Sequence, residues 1–232
     1  MDLSAPGHDD TRDVTLAVLA GGEGSRMGRA KGELELGDGR PVLEYLLDRW
    51  FWPGPTLLVT APGREHPPSW RRFTREVADP LAGEGPLRGV MTALEHTTTE
   101  LVVIAAVDMP NIESEHLTWL ARVLCSIPDL LGVMFTRPDD VNGEDRVTPD
   151  VRGVPGVPAA KLEPLPLALR AAALPWLARR HADGRRSLHS LADDAAAVAR
   201  VPAPSGWPDE TWLNVNRPDD WRRFLAGRAG RH

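Results

Sequence analysis

Three short runs made up of apolar residues and threonine constrain the fold of this chain most strongly. They span residues 14–20, 56–60 and 101–107, and turn-forming residues bound each of them. Apolar runs of this length, without polar alternation, are typical of strands that are buried on both faces of a sheet. Stretches with the apolar spacing of helices lie between them. This alternation predicts a three-layer α/β domain with a mostly parallel sheet.

The remaining elements follow from turn and helix-start signals. Helices are expected after Pro41, at Pro86, after a capping Ser114 and at Pro218, and helical stretches are expected within residues 172–194. Further strands are predicted at 76–78, 130–136, 197–201 and 211–215, and order is expected to resume at 165–170 after an interruption. That interruption, residues 137–160, is rich in Pro, Gly and Asp without apolar periodicity, which predicts a long surface loop.

The predicted domain covers residues 14–227, between a flexible N-terminal tail of residues 1–13 and a C-terminal tail of residues 228–232. The longest apolar run is far too short to span a bilayer, and the N-terminus lacks the regions of a signal peptide. We therefore expect a cytoplasmic protein without a membrane partner.

Composition excludes several other classes. The chain has 33 acidic residues against 27 Lys plus Arg, a net charge of -6, which argues against a nucleic-acid partner. Its one cysteine, Cys125, excludes an internal disulfide and a cysteine-based zinc knuckle. Cys125 lies on the apolar side of a predicted helix and is expected in the core.

Chemically useful side chains follow four of the predicted strands. In open α/β sheets, ligands bind at the carboxyl ends of the strands, near the point where the strand order reverses. A glycine-rich loop with Arg26, and then Lys31, follows the first strand. Thr60, Asp79 and Asp108 follow the second, third and fourth strands. Glycines, two cations and two carboxylates at one rim suit a nucleotide with a bound metal ion.

The glycine-rich loop matches neither of the two well-known nucleotide motifs. Met27 stands where a dinucleotide fingerprint has its third glycine, and Lys31 follows Ala30 rather than the glycine of a P-loop. Unobstructed backbone N–H groups and the two nearby cations can still cradle a triphosphate. The alternative is a tight strand-to-helix turn that uses glycine only for its backbone freedom.

Each polar candidate also has a structural alternative. Asp79 and Asp108 suit turn residues whose side chains bond to their own backbone. Asn214 and Asn216 flank Val215 near a predicted strand end, so both are expected on one face. Asn216 could instead cap the helix that starts at Pro218.

Four segments in order resemble those of the molybdenum cofactor guanylyltransferases and their nucleotidyltransferase relatives. They are LAGGEGSRMG-x-x-K at residues 19–31, Asp79-Pro80 followed by GPLRG at 85–89, VDMP at 107–110 and NVNRPDDW at 214–221. The resemblance covers about residues 14–225. It implies a Rossmann-like nucleotidyltransferase fold, Mg²⁺ as a cofactor, and transfer of GMP from GTP to the phosphate of molybdenum-bound molybdopterin with release of pyrophosphate. Proteins of molybdenum cofactor biosynthesis, and proteins that accept the product, are the further partners it implies.

The resemblance also implies roles for individual residues. The guanine and ribose side would be lined by the start of the first loop, at Leu19, Ala20, Gly21 and Gly22. Arg26 and Lys31 would hold the triphosphate, Asp79 would contact the nucleotide, and Asp108 would bind both the nucleotide and Mg²⁺. Asn214 and Asn216 would lie on the acceptor side and could also assist the metal. The basic pair Arg185 and Arg186 would lie on the acceptor side as well.

Two positions depart from the family pattern. Ala30 stands where many relatives have Asp, and Thr60, expected beside the nucleotide, stands where an Asn is common. Transfer with CTP or to a sugar phosphate therefore remains an alternative, although L-A-G-G rather than L-A-A-G favours the guanylyl branch. A non-catalytic nucleotide-binding protein is a third hypothesis. A nicotinamide-dependent oxidoreductase is disfavoured because the fingerprint fails.

Overall fold

The computed structural model describes residues 11–21, 30–138 and 160–229. Its strands are β1 (Val14–Leu19), β2 (Thr56–Thr60), β3 (Arg75–Ala78), β4 (Leu101–Ala106), β5 (Gly132–Pro138), β6 (Ala160–Arg170) and β7 (Val198–Pro202). Its α-helices are α1 (Val42–Trp50), α2 (Pro86–His96), α3 (Ser114–Cys125), α4 (Leu174–Ala182) and α5 (Pro218–Ala229). Short 3₁₀ turns occupy Lys31–Glu33, Trp70–Arg72, Ala171–Ala173, His189–Asp193 and Asp209–Trp212.

The seven strands form one sheet in the order β3-β2-β1-β4-β6-β5-β7. β1 pairs in parallel with both β2 and β4, and β5 pairs in parallel with β7. β6 runs antiparallel to its neighbours β4 and β5. The predicted mostly parallel α/β sheet is therefore confirmed. The chain leaves β1 in one direction to β2 and β3 and later crosses back to β4, so the strand order reverses between β1 and β4.

The core has two parts, one on each face of the sheet. One part joins Leu16, Val18 and Val103 to apolar residues of α1, α3 and α5. The other joins Ala17, Val102 and Ile104 to apolar residues of α2 and α4. Both faces of the central strands are covered, which explains why their sequences are continuously apolar. This gives the three layers that the sequence pattern predicts. Within the described residues, no helix is long and apolar enough to cross a membrane.

The tail boundaries differ from the prediction. Thr11 is buried, and its carbonyl oxygen lies 2.6 Å from where a Cβ on Gly54 would be, so residues 11–13 pack against the domain. Residues 1–10 lie outside the described residues. At the other end, α5 continues beyond residue 227. Arg228 lies 3.7 Å from the Asp38 carboxylate, and its guanidinium lies 4.9 Å from the centre of the Tyr45 ring.

Two element predictions are wrong. Residues 211–215 do not form a strand. The 3₁₀ turn Asp209–Trp212 occupies the first two residues of this segment, and Trp212 packs edge-on against Phe135 at 5.3 Å. Trp212 is buried by aromatic contacts rather than by strand pairing. The predicted loop 137–160 begins and ends within strands, because β5 reaches Pro138 and β6 starts at Ala160. Residues 139–159 lie outside the described part of the chain.

Helix α3 corrects two further expectations. It starts at Ser114, but the cap is Glu113, whose side chain accepts the N3 backbone N–H, while the N–H of Glu113 donates to His116 Nδ1 over 2.8 Å. Cys125 is exposed rather than part of the core. Leu117, Leu120 and Leu124 take the buried face, and the next residue is rotated about 100° away from it.

Candidate active site

A cleft of about 570 Å³ opens at the carboxyl ends of the central strands. It lies where the strand order reverses between β1 and β4, the position that this class of sheet uses for ligands. Its walls come from the ends of β1, β2 and β4, the loop that follows β3, and the first turn of α2. Among the lining residues are Leu19, Gly21, Lys31, Ala61, Arg64, Asp79, Gly85, Gly89, Asp108 and Leu165.

Lys31 and Asp108 are in direct contact in this cleft. Lys31 Nζ donates to Asp108 Oδ2 over 2.7 Å, and both side chains are largely buried, with exposed fractions of 14% and 19%. Lys31 Nζ also donates to Asn216 Oδ1 over 2.7 Å. The structure therefore joins the first loop, the end of β4 and the segment before α5 at one ammonium group.

The segment that carries the two asparagines reaches the cleft without forming a strand. The N–H of Val215 donates to the carbonyl oxygen of Asp108 over 2.8 Å. Asn216 Nδ2 donates to Asn214 Oδ1 over 2.9 Å, so the two amides lie side by side, as expected. The expected reason, alternation along a strand, does not apply, because this segment is not a strand. Asn216 does not cap α5 with its side chain. Asp220 Oδ2 instead accepts the backbone N–H groups of Asn216 and Arg217, over 3.0 and 2.9 Å.

Asp79 presents a carboxylate that is only partly satisfied. Its Oδ1 atom is buried and has no hydrogen-bond partner among the described residues. Burial raises the pKa of Asp79, and the Thr92 hydroxyl and the Arg88 guanidinium oppose that rise. A Cβ on Gly89 would lie 3.7 Å from Asp79 Oδ2 and 3.3 Å from Leu19 Cδ2, so this glycine keeps the surroundings of the carboxylate open. Because a buried acceptor without a donor is costly, Asp79 suits an N–H or O–H donor of a ligand.

The first loop begins close to the second strand end. A Cβ on Gly21 would lie 3.2 Å from the backbone nitrogen of Ala61, which explains the glycine at this position. Ala20 is buried and donates its N–H to the Val59 carbonyl over 2.8 Å. Leu19 and Gly21 line the cleft. Gly22 and Arg26 lie outside the described residues.

Thr60 is not among the residues that line the cleft, and Ala61 takes that place. The Thr60 hydroxyl lies 3.4 Å from both Glu76 Oε1 and the Val77 carbonyl oxygen. Its side chain is thus committed to β3. Thr60 therefore does not face the cleft.

Arg185 and Arg186 lie next to different acidic residues. Arg186 lies 3.5 Å from the Glu84 carboxylate, and His181 lies 3.4 Å from the other oxygen of that carboxylate. Arg185 lies 4.0 Å from Asp193. Arg186 therefore lies beside the loop that follows β3, whereas Asn214 and Asn216 lie beside Lys31. Glu84 lines the cleft but was not predicted from the sequence, where only its position between Gly83 and Gly85 marks it.

The oxygen donors at Lys31 suit a hard cation that arrives with phosphates. Within the described ranges, no group of three or more His, Cys, Asp or Glu side chains could hold a metal ion. Asp108 supplies one carboxylate, and Asn216 supplies a neighbouring amide oxygen. Mg²⁺ commonly binds through one or two carboxylates, with waters and substrate phosphates completing its octahedron. The residues present fit this arrangement.

Comparisons with known proteins agree with the geometry. Residues 16–199 match the family model described as the MobA-like NTP transferase domain. The chain is 30% identical over 216 residues to a probable molybdenum cofactor guanylyltransferase of Deinococcus radiodurans, covering 93% of this chain and 95% of that protein. A molybdenum cofactor guanylyltransferase of Mannheimia succiniciproducens is 35% identical over 103 residues, which is 44% of this chain and 53% of the relative.

Solved structures share the fold. Molybdopterin-guanine dinucleotide biosynthesis protein A from Archaeoglobus fulgidus superposes with a TM-score of 0.70 at 22% identity, covering 93% of this chain and 99% of that one. A CMP:2-keto-3-deoxy-manno-octonic acid synthetase complexed with CTP also superposes with a TM-score of 0.70, at 13% identity, covering 95% and 100%. The sequence matches and the position of the cleft at the end of β1 both indicate a nucleotidyltransferase. The chain belongs to the MobA-like NTP transferase family.

Proposed function

We propose that this protein transfers GMP from GTP to the phosphate of the molybdenum-molybdopterin cofactor and releases pyrophosphate. The observation that carries the proposal is the meeting of Lys31 and Asp108 at 2.7 Å in a cleft that Asp79 also lines. The 30% identity over 93% of the chain to a probable molybdenum cofactor guanylyltransferase supports GTP and the acceptor. The proposal places the enzyme in the cytoplasm, where GTP is available, beside proteins that supply the cofactor and receive the product.

The reaction is an in-line displacement at phosphorus. An oxygen of the acceptor phosphate forms a bond to the α-phosphorus of GTP, and the bond from that phosphorus to the bridging oxygen of the β-phosphate breaks. The second pKa of a phosphate monoester is about 6, so the acceptor is largely dianionic at pH 7 and needs no general base. The difficulty lies in bringing two anions together, which positioning and positive charge address.

The chain's own groups supply that positive charge. Lys31 would contact the triphosphate, and the resemblance assigns Arg26 and the backbone N–H groups of the glycine-rich loop to the same task. Asp79 would accept a hydrogen bond from the nucleotide through its buried, unpartnered Oδ1. Asn214 and Asn216 would orient the acceptor phosphate.

Mg²⁺ belongs to the proposal, with Asp108 as its carboxylate ligand and Asn216 beside it. When bound, the ion would neutralise charge on the phosphates and on the leaving pyrophosphate. Asp108 is held for this task at the end of β4, where the N–H of Val215 fixes its carbonyl group.

Pyrophosphate release tests the proposal. The purified protein is given the molybdenum-molybdopterin cofactor, Mg²⁺ and one nucleoside triphosphate at a time, and the product is weighed by mass spectrometry. We expect release with GTP, dependent on the acceptor, and a product heavier by one GMP group. Release with CTP and none with GTP would transfer the assignment to the cytidylyl alternative. Nucleotide binding without release from any triphosphate would favour a non-catalytic nucleotide-binding protein.

A further inference from the structure

The ammonium group of Lys31 occupies one of the two oxygens that Asp108 offers to a metal ion. Lys31 Nζ lies 2.7 Å from Asp108 Oδ2, whereas Mg²⁺ binds carboxylate oxygens at about 2.0–2.1 Å. A cation cannot use this oxygen while the ammonium remains there, because the two positive charges would repel at close range. The lysine and a metal ion would therefore compete for this oxygen of Asp108.

The lysine is also held in place. Its second acceptor, Asn216 Oδ1, lies 2.7 Å away, and the segment carrying Asn216 is tied to Asp108 by the N–H of Val215. The Lys31 side chain is only 14% exposed, so water cannot readily replace its partners where it stands. A bare divalent ion brings no new acceptor for the displaced ammonium. A metal–nucleotide complex does, because its phosphate oxygens accept charge-assisted hydrogen bonds.

We propose that Lys31 stands in for the metal ion on Asp108 while the protein is free, and passes to the triphosphate when metal and nucleotide enter together. The inference rests on the proposed function only in taking a metal–nucleotide complex as substrate. Two consequences follow. The free protein binds divalent ions weakly, so it does not accumulate metal without nucleotide. Asn216 Oδ1 is released when the nucleotide binds, so the acceptor side becomes available second.

Binding of Mn²⁺ alone to the nucleotide-free protein tests this exchange. Mn²⁺ takes the same oxygen ligands as Mg²⁺, and its unbound fraction is measured directly by electron paramagnetic resonance. We expect weak binding to the unaltered protein and binding at least about tenfold tighter in Lys31→Met, because removing an ion-pair partner frees the carboxylate. Lys31→Arg keeps the positive charge and is expected to bind Mn²⁺ as weakly as the unaltered protein.

The chain offers a matched control, because its other lysine, Lys161, pairs at 3.6 Å with Glu163, outside the residues that line the cleft. Lys161→Met is expected to leave Mn²⁺ affinity unchanged. Adding Asp108→Asn to Lys31→Met is expected to abolish the gain. Thermal unfolding verifies that each variant is folded, and Lys31→Gln replaces Lys31→Met if the latter is not.

Equal Mn²⁺ affinity in Lys31→Met and the unaltered protein would overturn the proposal. An equal gain in Lys31→Arg would also overturn it, as would a gain that survives Asp108→Asn. Because no nucleotide or acceptor is present, the result does not depend on which triphosphate the enzyme uses. Failure here and failure of guanylyl transfer are therefore separate outcomes.

Discussion

The N–H of Val215 donates to the carbonyl oxygen of Asp108 over 2.8 Å and joins the segment before α5 to the end of β4. Through this bond, residues from opposite ends of the domain form one site. Asn216 follows directly and reaches Lys31 Nζ, which comes from the first loop. The carboxylate of Asp108, the lysine and the asparagine are therefore positioned together rather than independently.

Replacing Asp108 by Asn tests the proposed metal role. The amide keeps the shape of the side chain but removes the negative charge that faces Lys31. We expect kcat/KM to fall by about 10²–10³-fold, since electrostatic groups aimed at developing charge have effects of this size. The assay is pyrophosphate release, with thermal unfolding to show that the fold persists. Asp129→Asn, at an exposed position, is the control, and undiminished turnover in Asp108→Asn would exclude the metal role.

Replacing Asn216 by Ala tests whether this residue serves the nucleotide side. The substitution removes the amide oxygen that would assist the metal beside Asp108 once Lys31 has moved to the triphosphate, and we expect kcat/KM for the nucleotide to fall roughly tenfold. Asn214→Ala removes only the bond between the two amides, so its effect on nucleotide kinetics should be smaller. Steady-state kinetics with the acceptor saturating measure both. An equal effect of the two substitutions would contradict a distinct role for the Asn216 amide beside Asp108.

Gly54 is expected to be essential to stability rather than to activity. A Cβ there would lie 2.6 Å from the Thr11 carbonyl oxygen and would also strike that of Val14, and neither backbone atom can easily move. Gly54→Ala should lower the free energy of unfolding by about 2–3 kcal/mol. Gly37→Ala is the control, since its Cβ would meet nothing within 4 Å. Urea denaturation compares the two, and equal midpoints would refute the packing argument.

His116 should make stability depend on pH. Burial lowers its pKa from 6.5 to about 4, with its ring edge-on to Trp207 at 4.3 Å. The His116 imidazole binds a proton more readily in the unfolded chain than in the folded protein. The stability that the neutral, buried imidazole allows is therefore present above pH 6.5 and is lost as pH falls towards 4. The loss should be of the order of 2–3 kcal/mol.

The variant His116→Gln separates this effect from that of the carboxylates. Glutamine retains an acceptor at the third position of α3 but does not titrate, so its unfolding free energy should fall less between pH 6.5 and 4 than that of the unaltered protein. His189→Gln, at an exposed position, serves as the control. Parallel pH profiles for the unaltered protein and His116→Gln would show that His116 does not contribute.

The strand ends were predictable because they depend on local pattern. The apolar runs of β1, β2 and β4 mark strands covered on both faces, and parallel strands bring their carboxyl ends to one edge. Asp79 and Asp108 were therefore expected in the cleft they share. For Thr60, a position at the end of a strand was not enough to predict a place in the cleft. Thr60 is the last residue of β2 and its side chain points towards β3, and Ala61 faces the cleft instead.

Glu84 and Cys125 show where sequence patterns fail to predict the surroundings of a side chain. Glu84 lies in a loop without periodicity, and its importance depends on Arg186 and His181, which arrive from a distant part of the chain. Cys125 follows the apolar spacing closely enough to suggest burial, yet helix rotation beyond Leu124 exposes it.

By itself, the sequence determined the alternation of most strands and helices, the three layers and the placing of Lys31, Asp79 and Asp108 at one edge of the sheet, because these follow from hydrophobic periodicity and short-range turn chemistry. Only the tertiary structure decided that Lys31 contacts both Asp108 and Asn216, that Val215 joins β4 without forming a strand, and that Arg186 accompanies Glu84. These contacts join residues far apart in the chain. Their distances are set by how whole elements pack, which no local pattern encodes.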